Sequence, residues 1–267
     1  MKVSGWSMIR LYTILVYVWM FAPIVVVLIL SFNPEQFGSF PMKGFSLKWY
    51  VRLAQNERIV SCFKNSLILG SLSASMSALI GILSALAFVR YDFRGKNLLN
   101  TLLVAPIMIP RVVLGMALLL FLRWLQQPKS FVLLLIGHVI ITMPFVITVV
   151  QARLVGIQKV FEEAAMTLGA NAFHTFREIT LPLLAPAILA GMLFAFTISF
   201  DEIIATLFWS TASTQTVPIE IFGMLRESIS PELNALGMVM IILTILIPLL
   251  AMYLPKKLSK LGNARPG

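Results

Sequence analysis

The stretch EEAAMTLGANAFHTFREITLPLLAPA, residues 162–187, sets two adjacent glutamates, a glycine and two prolines between two long apolar runs. Phe161, Ala164, Ala165 and Leu168 recur at i, i+3, i+4 and i+7, with Glu162, Glu163 and Thr167 on the other side, which predicts a short amphipathic helix. Gly169 can then take the left-handed conformation that ends it. A second short turn is expected at residues 171–177, and Pro182 opens the next apolar run from a Thr180 cap. The spacing therefore predicts a short helix-turn-helix, and the fold turns on where that loop lies.

The rest of the chain answers. Of its 267 residues 59% are hydrophobic and 12% charged, against about 25% charged in a soluble domain. Apolar runs at 11–30, 66–89, 98–122, 131–150, 188–208 and 235–254 are each near the ~20 residues that a helix needs to cross a ~30 Å hydrocarbon core. The expected fold class is all-α, an integral membrane bundle of six helices formed as one domain over 1–267, with its core at about 64–254 and no linker or repeat. The N-terminal MKVSGWSMIR and the run after it read as a retained first span, because the run is too long for a signal peptide and no small-residue cleavage site follows. The second span carries Gly70, Ser71, Ser73, Ala74, Ser75, Ser77, Ala78, Gly81, Ser84 and Ala85, which permits close helix approach and predicts a central place in the bundle.

Six spans put both termini on one side. Lys2, Arg10, Lys256, Lys257, Lys260 and Arg265 in the tails, with Arg90, Arg94 and Lys96 in the link RYDFRGK, mark that side as the cytoplasm by the positive-inside rule. Lys43, Lys48, Arg52, Arg58 and Lys64 then lie outside and are outweighed. In this orientation 153–182 is the longest cytoplasmic loop. Its alanine-rich helix is too shallow to anchor in lipid; it serves either to dock another protein or to cover the end of the bundle. The net charge of +10 is spent on these clusters, with no basic face of the kind that binds nucleic acid. Cys62, His138 and His174 supply neither a disulfide framework nor a metal site.

Ionisable groups within the spans cost about 2.5–3.5 kcal/mol each on insertion scales and need a partner or a water-filled path. They are Arg111, His138, Asp201 and Glu202. Counting about 1.5 Å per residue along straight helices puts Arg111, His138 and Asp201 in one layer. Two readings stand: a polar solute path, or an Arg111–Asp201 ion pair joining spans three and five. On a continuous helix Glu202 faces about 100° away from Asp201, so one of the two faces the path. His138 fits a solute contact or a helix-to-helix hydrogen bond. Trp49, on a short outer helix capped by Ser46, fits an aromatic lid over a cationic group or an interfacial anchor beside Tyr50. An intramembrane enzyme would need a paired nucleophile and base or two close carboxylates, and an ion-coupled transporter would need helices broken at matching places in two halves. Neither pattern is visible in the sequence.

EAAMTLGA, with ITLP beginning ten residues after the glycine, resembles the EAA loop in permease subunits of bacterial ATP-binding cassette importers, at Glu163, Ala164, Ala165, Gly169, Ile179, Leu181 and Pro182. NSLILGS, RYDFRGK, SFDE and SPELNAL are similar to the spermidine/putrescine-type branch. The resemblance implies a coupling helix, centred on Phe161, Glu163 and Leu168, inserted into a cleft of an ATPase subunit. It implies as partners two ATPase subunits, a second permease chain that is a homologue, an extracytoplasmic binding protein and a small polar solute, in a bacterial inner membrane. The chain itself has no Walker-type phosphate loop, so neither enzymatic activity nor a cofactor is expected of it. Asp201 matches an acidic position that would attract an ammonium group. Arg111, in MIPRVV, departs from the family, many of whose members carry an acidic residue there. The departure makes a zwitterion, such as an opine, an amino-acid-like compound or an aminophosphonate, an alternative to a polyamine.

Overall fold

Every long apolar run in this chain forms helix, the structure that satisfies its own backbone without water. The computed structural model describes residues 5–35, 41–227 and 230–262, with side chains over 8–35, 41–227 and 230–250. Among the tail cations used above for sidedness, Lys2 and Arg265 lie outside the described residues, as do the side chains of Lys256, Lys257 and Lys260. In chain order the helices are α1 (Gly5–Leu30), α2 (Lys48–Gln55), α3 (Glu57–Arg90), α4 (Lys96–Val104), α5 (Arg111–Trp124), α6 (Phe131–Val155), α7 (Val160–Thr167), α8 (Ala172–Thr175), α9 (Leu181–Phe200), α10 (Ile204–Trp209), α11 (Val217–Glu227) and α12 (Pro231–Gly262). No strand occurs among the described residues, so the all-α expectation holds.

The chain divides into two compact units, Met1–Val60 with Glu220–Ile245, and Ser61–Ile219 with Leu246–Gly267. In the first, the Tyr50 hydroxyl meets Ser31 Oγ at 2.7 Å and Arg58 pairs with Glu220 at 2.9 Å. None of the most apolar window of α1 is buried. In the second unit α6 is the most enclosed span, half of its window being buried. The small residues of α3 face inward as expected: Gly70, Ser73, Ala74, Ser77, Ala78, Gly81, Ser84 and Ala85 are buried, whereas Ser71 and Ser75 are not. The centre, however, is α6, with α3 and α9 laid on it through Gly81 and Gly191, both against Val146.

Two spans differ from the straight helices expected. The third is two helical pieces, Lys96–Met108 and Arg111–Trp124, bent by 112°. The cause is local: Pro110 disfavours a helical Ile109, which adopts φ −87° and ψ 128°, and supplies no N–H to continue the ladder. The fifth begins at Ala172 rather than near 188, runs through a π-helical turn at Phe176–Thr180, and ends at Phe200. Thr180 is not a cap; it lies within this continuous helix.

The break after Phe200 returns the chain into the protein as α10. Trp209, at its end, is 1% exposed and packs with Leu69, Leu134, Ile141 and Ala205. Its indole N–H donates to Gly115 O at 2.8 Å, and the ring lies so close to Gly137 that a Cβ there would come within 2.3 Å of it. Gly137→Ala is therefore expected to cost about 1–3 kcal/mol by overpacking, visible as a lower melting temperature in detergent.

Candidate functional site

The two helix breaks meet. Arg111 is the first residue of α5, immediately after the Pro110 break, and its guanidinium pairs with the carboxylate of Glu202 in the α9–α10 break. Glu202 is buried and Arg111 is 38% exposed on its side chain. The other carboxylate oxygen, Oε1, accepts from the Ala205 N–H at 2.9 Å, which starts α10 and places negative charge at its positive end. Asp201, the residue that closes α9, is exposed.

The sequence reading of this site is corrected in two respects. Arg111 pairs with Glu202, a partner that the sequence reading did not offer. The 100° rule that turned Glu202 away from Asp201 applies to a continuous helix, and here the helix has ended. The depth count that put Arg111 in a common layer likewise assumed a straight third span. Helices broken at these two places are also a feature that hydropathy alone did not reveal.

His138 on α6 is 0% exposed. Its Nδ1 lies 2.7 Å from Ser199 Oγ and its Nε2 2.9 Å from Thr206 Oγ1. Thr206 spends its proton on the carbonyl of Glu202 at 3.0 Å, so it accepts from Nε2–H, and Ser199 donates to Nδ1. Below the ring, Thr142 donates to His138 O and therefore accepts from Ser77 of α3, each at 2.8 Å. His138 thus bonds helix to helix, with both ring nitrogens occupied. The chain Arg111, Glu202, Thr206, His138, Thr142, Ser77 ties α5, α10, α6 and α3 through one buried polar line.

The loop at 153–182 has the expected helix. Gly169 has φ +94°, with Ala170 N donating to Ala165 O and Gly169 N to Met166 O, both at 3.0 Å, the paired bonds of a Schellman stop. The stripe is uncovered: Phe161 is 54% and Leu168 89% exposed, Ala164 and Glu163 are exposed, and no residue of α7 is buried. Ala165 is half-buried.

Trp49 is held by groups of its own chain. It is buried, its indole N–H donates to Asn33 O at 2.7 Å, and Lys48 Nζ and Arg52 Cζ already lie 4.5 and 5.4 Å from its ring centroid. The Ser46 hydroxyl accepts from Lys48 N at 3.2 Å, next to the start of that helix.

Sequence reasoning missed one group. Glu162, assigned only to the polar side of α7, pairs with Arg90 at 2.9 Å and accepts from the Thr180 hydroxyl at 2.9 Å. Arg90 also donates to Ile157 O at 3.0 Å. The available signal was the position of Arg90, which closes the second span on the side assigned to the loop.

Residues 77–260 match the family described as binding-protein-dependent transport system inner membrane component. The chain is 34% identical over 248 residues to the spermidine/putrescine transport system permease protein PotC of Escherichia coli (strain K12), covering 93% of each. It is 31% identical over 264 residues to the putrescine transport system permease protein PotI of the same organism, covering 96% of this chain and 93% of that one. A chain in the crystal structure of a bacterial alginate ABC transporter, in complex with an alginate pentasaccharide-bound periplasmic protein, shares the fold at a TM-score of 0.76 and 17% identity, over 96% of this chain and 94% of that one.

Removing one member of a buried ion pair leaves an uncompensated charge, at about 3–5 kcal/mol when both are enclosed. Arg111→Leu is expected to lower stability by somewhat less than this, since Arg111 is partly exposed, and Arg111→Leu with Glu202→Leu to recover most of the loss. Melting temperatures of the three variants in detergent check it.

Proposed function

This chain belongs to the family of binding-protein-dependent transport system inner membrane components, and from that premise we propose that it imports an amine-bearing solute under the drive of a separate ATPase. It is an all-α membrane permease subunit. In the proposed assembly it pairs with a homologous permease chain; two ATPase subunits grip the two α7 helices, and an extracytoplasmic protein delivers solute. Both termini and α7 face the cytoplasm of the bacterial cell. The ATPase subunits bind all the nucleotide, and this chain needs no cofactor.

The observation that carries this reading is the uncovered alanine-faced helix, Phe161, Ala164, Ala165 and Leu168, closed by Gly169 and protruding beside Glu163. An apolar stripe left exposed at the end of a bundle is a surface for a protein groove. ATP binding draws the paired α7 helices together, the spans follow, and the cavity opens outward; hydrolysis resets it. The breaks at Ile109–Pro110 and after Phe200 are the places where the spans change angle.

The pairing of Arg111 favours a polyamine. An unpaired arginine on the path would repel a polycation, but Glu202 cancels that charge and Asp201 remains exposed beside it. Two of the relatives transport, by their names, spermidine or putrescine. Arg111 keeps part of its surface accessible, so a zwitterion with an acidic group on the arginine and an amine on Asp201 is the second reading.

Replacing Gly169 by Leu or Glu163 by Lys is expected to leave a membrane-inserted permease whose ATP-driven uptake in proteoliposomes falls at least about tenfold, a coupling loss near 1.4 kcal/mol. Normal uptake by both removes the coupling role. Asp201→Asn is expected to reduce spermidine uptake by about tenfold or more. If the soluble binding protein takes zwitterions and no polyamine, the second reading replaces the first.

A further inference from the structure

We infer that Arg90 and Glu162 form the joint through which α7 moves spans α3 and α9. The inference rests on the importer reading above and adds to it the residues that carry the stroke inward.

Among the described residues, Glu162 is the one side chain of α7 that bonds to another element. It bonds to two at once. Arg90, the last residue of α3, reaches it at 2.9 Å, and Thr180, in the π-helical turn that leads into α9, donates to it at 2.9 Å. Arg90 also holds the carbonyl of Ile157 at 3.0 Å, in the short link between α6 and α7. The pair is largely shielded, the two side chains being 10% and 15% exposed, so it is weakly screened, and its geometry is held by two further groups, the Thr180 hydroxyl and the Ile157 carbonyl. No residue of α7 is buried, and the helix lies against α8 and the π-helical turn that begin the fifth span. A displacement of α7 therefore acts on the fifth span through that contact and the Thr180 bond, and on α3 through the Glu162–Arg90 pair.

The helices it reaches lead to the path. Thr180 and Asp201 are joined by helix over about 30 Å at 1.5 Å per residue, and Arg90 stands on the same helix as Ser77, about 20 Å away, where the His138 line ends. A cavity of about 180 Å³ lies beside the pair, lined by Leu86, Tyr91, Met166, Thr175 and Phe176. The Thr175 hydroxyl there is buried and has no hydrogen-bond partner among the described residues. This half-open space leaves room for α7 to rock about Glu162. π-turns of the kind next to it recur at functional sites.

The test uses the whole complex, purified with its ATPase and binding protein and reconstituted in proteoliposomes. Glu162→Gln keeps size and the Thr180 bond but loses the charge; Arg90→Gln removes the other partner. Each is expected to retain the ATPase at the wild-type ratio and its basal ATP hydrolysis, while uptake and the binding-protein-stimulated hydrolysis fall at least tenfold. The double variant is expected to be no worse than either single one, because the two act as a unit. Uptake within twofold of wild type, additive losses in the double variant, or loss of the ATPase from the complex would each overturn the inference, the last because the pair would then only build the docking surface. If Arg90→Gln fails to fold, the isosteric Glu162→Gln decides alone by its ratio of uptake to basal hydrolysis. A wild-type chain that retains no ATPase sinks the importer reading itself; a coupled wild type with coupled variants sinks this inference only.

Discussion

A helix interrupted inside a bilayer leaves backbone groups and charges that hydrocarbon will not solvate, and the organisation of this chain depends on bringing two such interruptions together. Pro110 and the turn after Phe200 each end a helix. Arg111 from one and Glu202 from the other neutralise each other, and Glu202 also starts α10. Each break alone would be costly; together they make one polar joint, continued through Thr206 and His138 into α6 and from there to α3.

The same helices connect that joint to the protruding α7. The stretch Ala172–Phe200 is one rod with the Glu162 contact at one end and the Asp201–Glu202 turn at the other. Close packing at Gly81, Gly191 and Gly137 keeps α3, α6, α9 and α10 near one another, so that tilting one rod presses on the rest. The Arg111–Glu202 joint and α7 are thus two ends of one structure. That arrangement suits the proposed drive of this permease by a separate ATPase.

Much of this was legible in the residues. The 3.6 period at Phe161, Ala164, Ala165 and Leu168 gave the short helix α7 and its stop at Gly169, because an exposed short helix is governed by local rules. The small-residue face of α3 was equally local, and its inward side followed directly. Apolar runs placed four spans well but straightened the other two. Hydropathy sums over a window and does not register that Ile109 before Pro110 must be extended, nor that a helix may stop at Phe200 without glycine or proline. The error propagated: with a continuous fifth helix the ion-pair alternative was written with Asp201, and Glu202 was turned away from it. Trp49 and the Arg90–Glu162 contact depended on partners 16 and 72 residues away, beyond the reach of periodicity.

The neutralised arginine is the centre of the functional reading, since it decides which charge the solute meets. An electron cryomicroscopy structure of the assembled complex, at a resolution that places side chains, measures it directly. The expected map has the Arg111 guanidinium on Glu202, with Asp201 turned to the water-filled path. A map with Arg111 on Asp201 and Glu202 facing the path would contradict it.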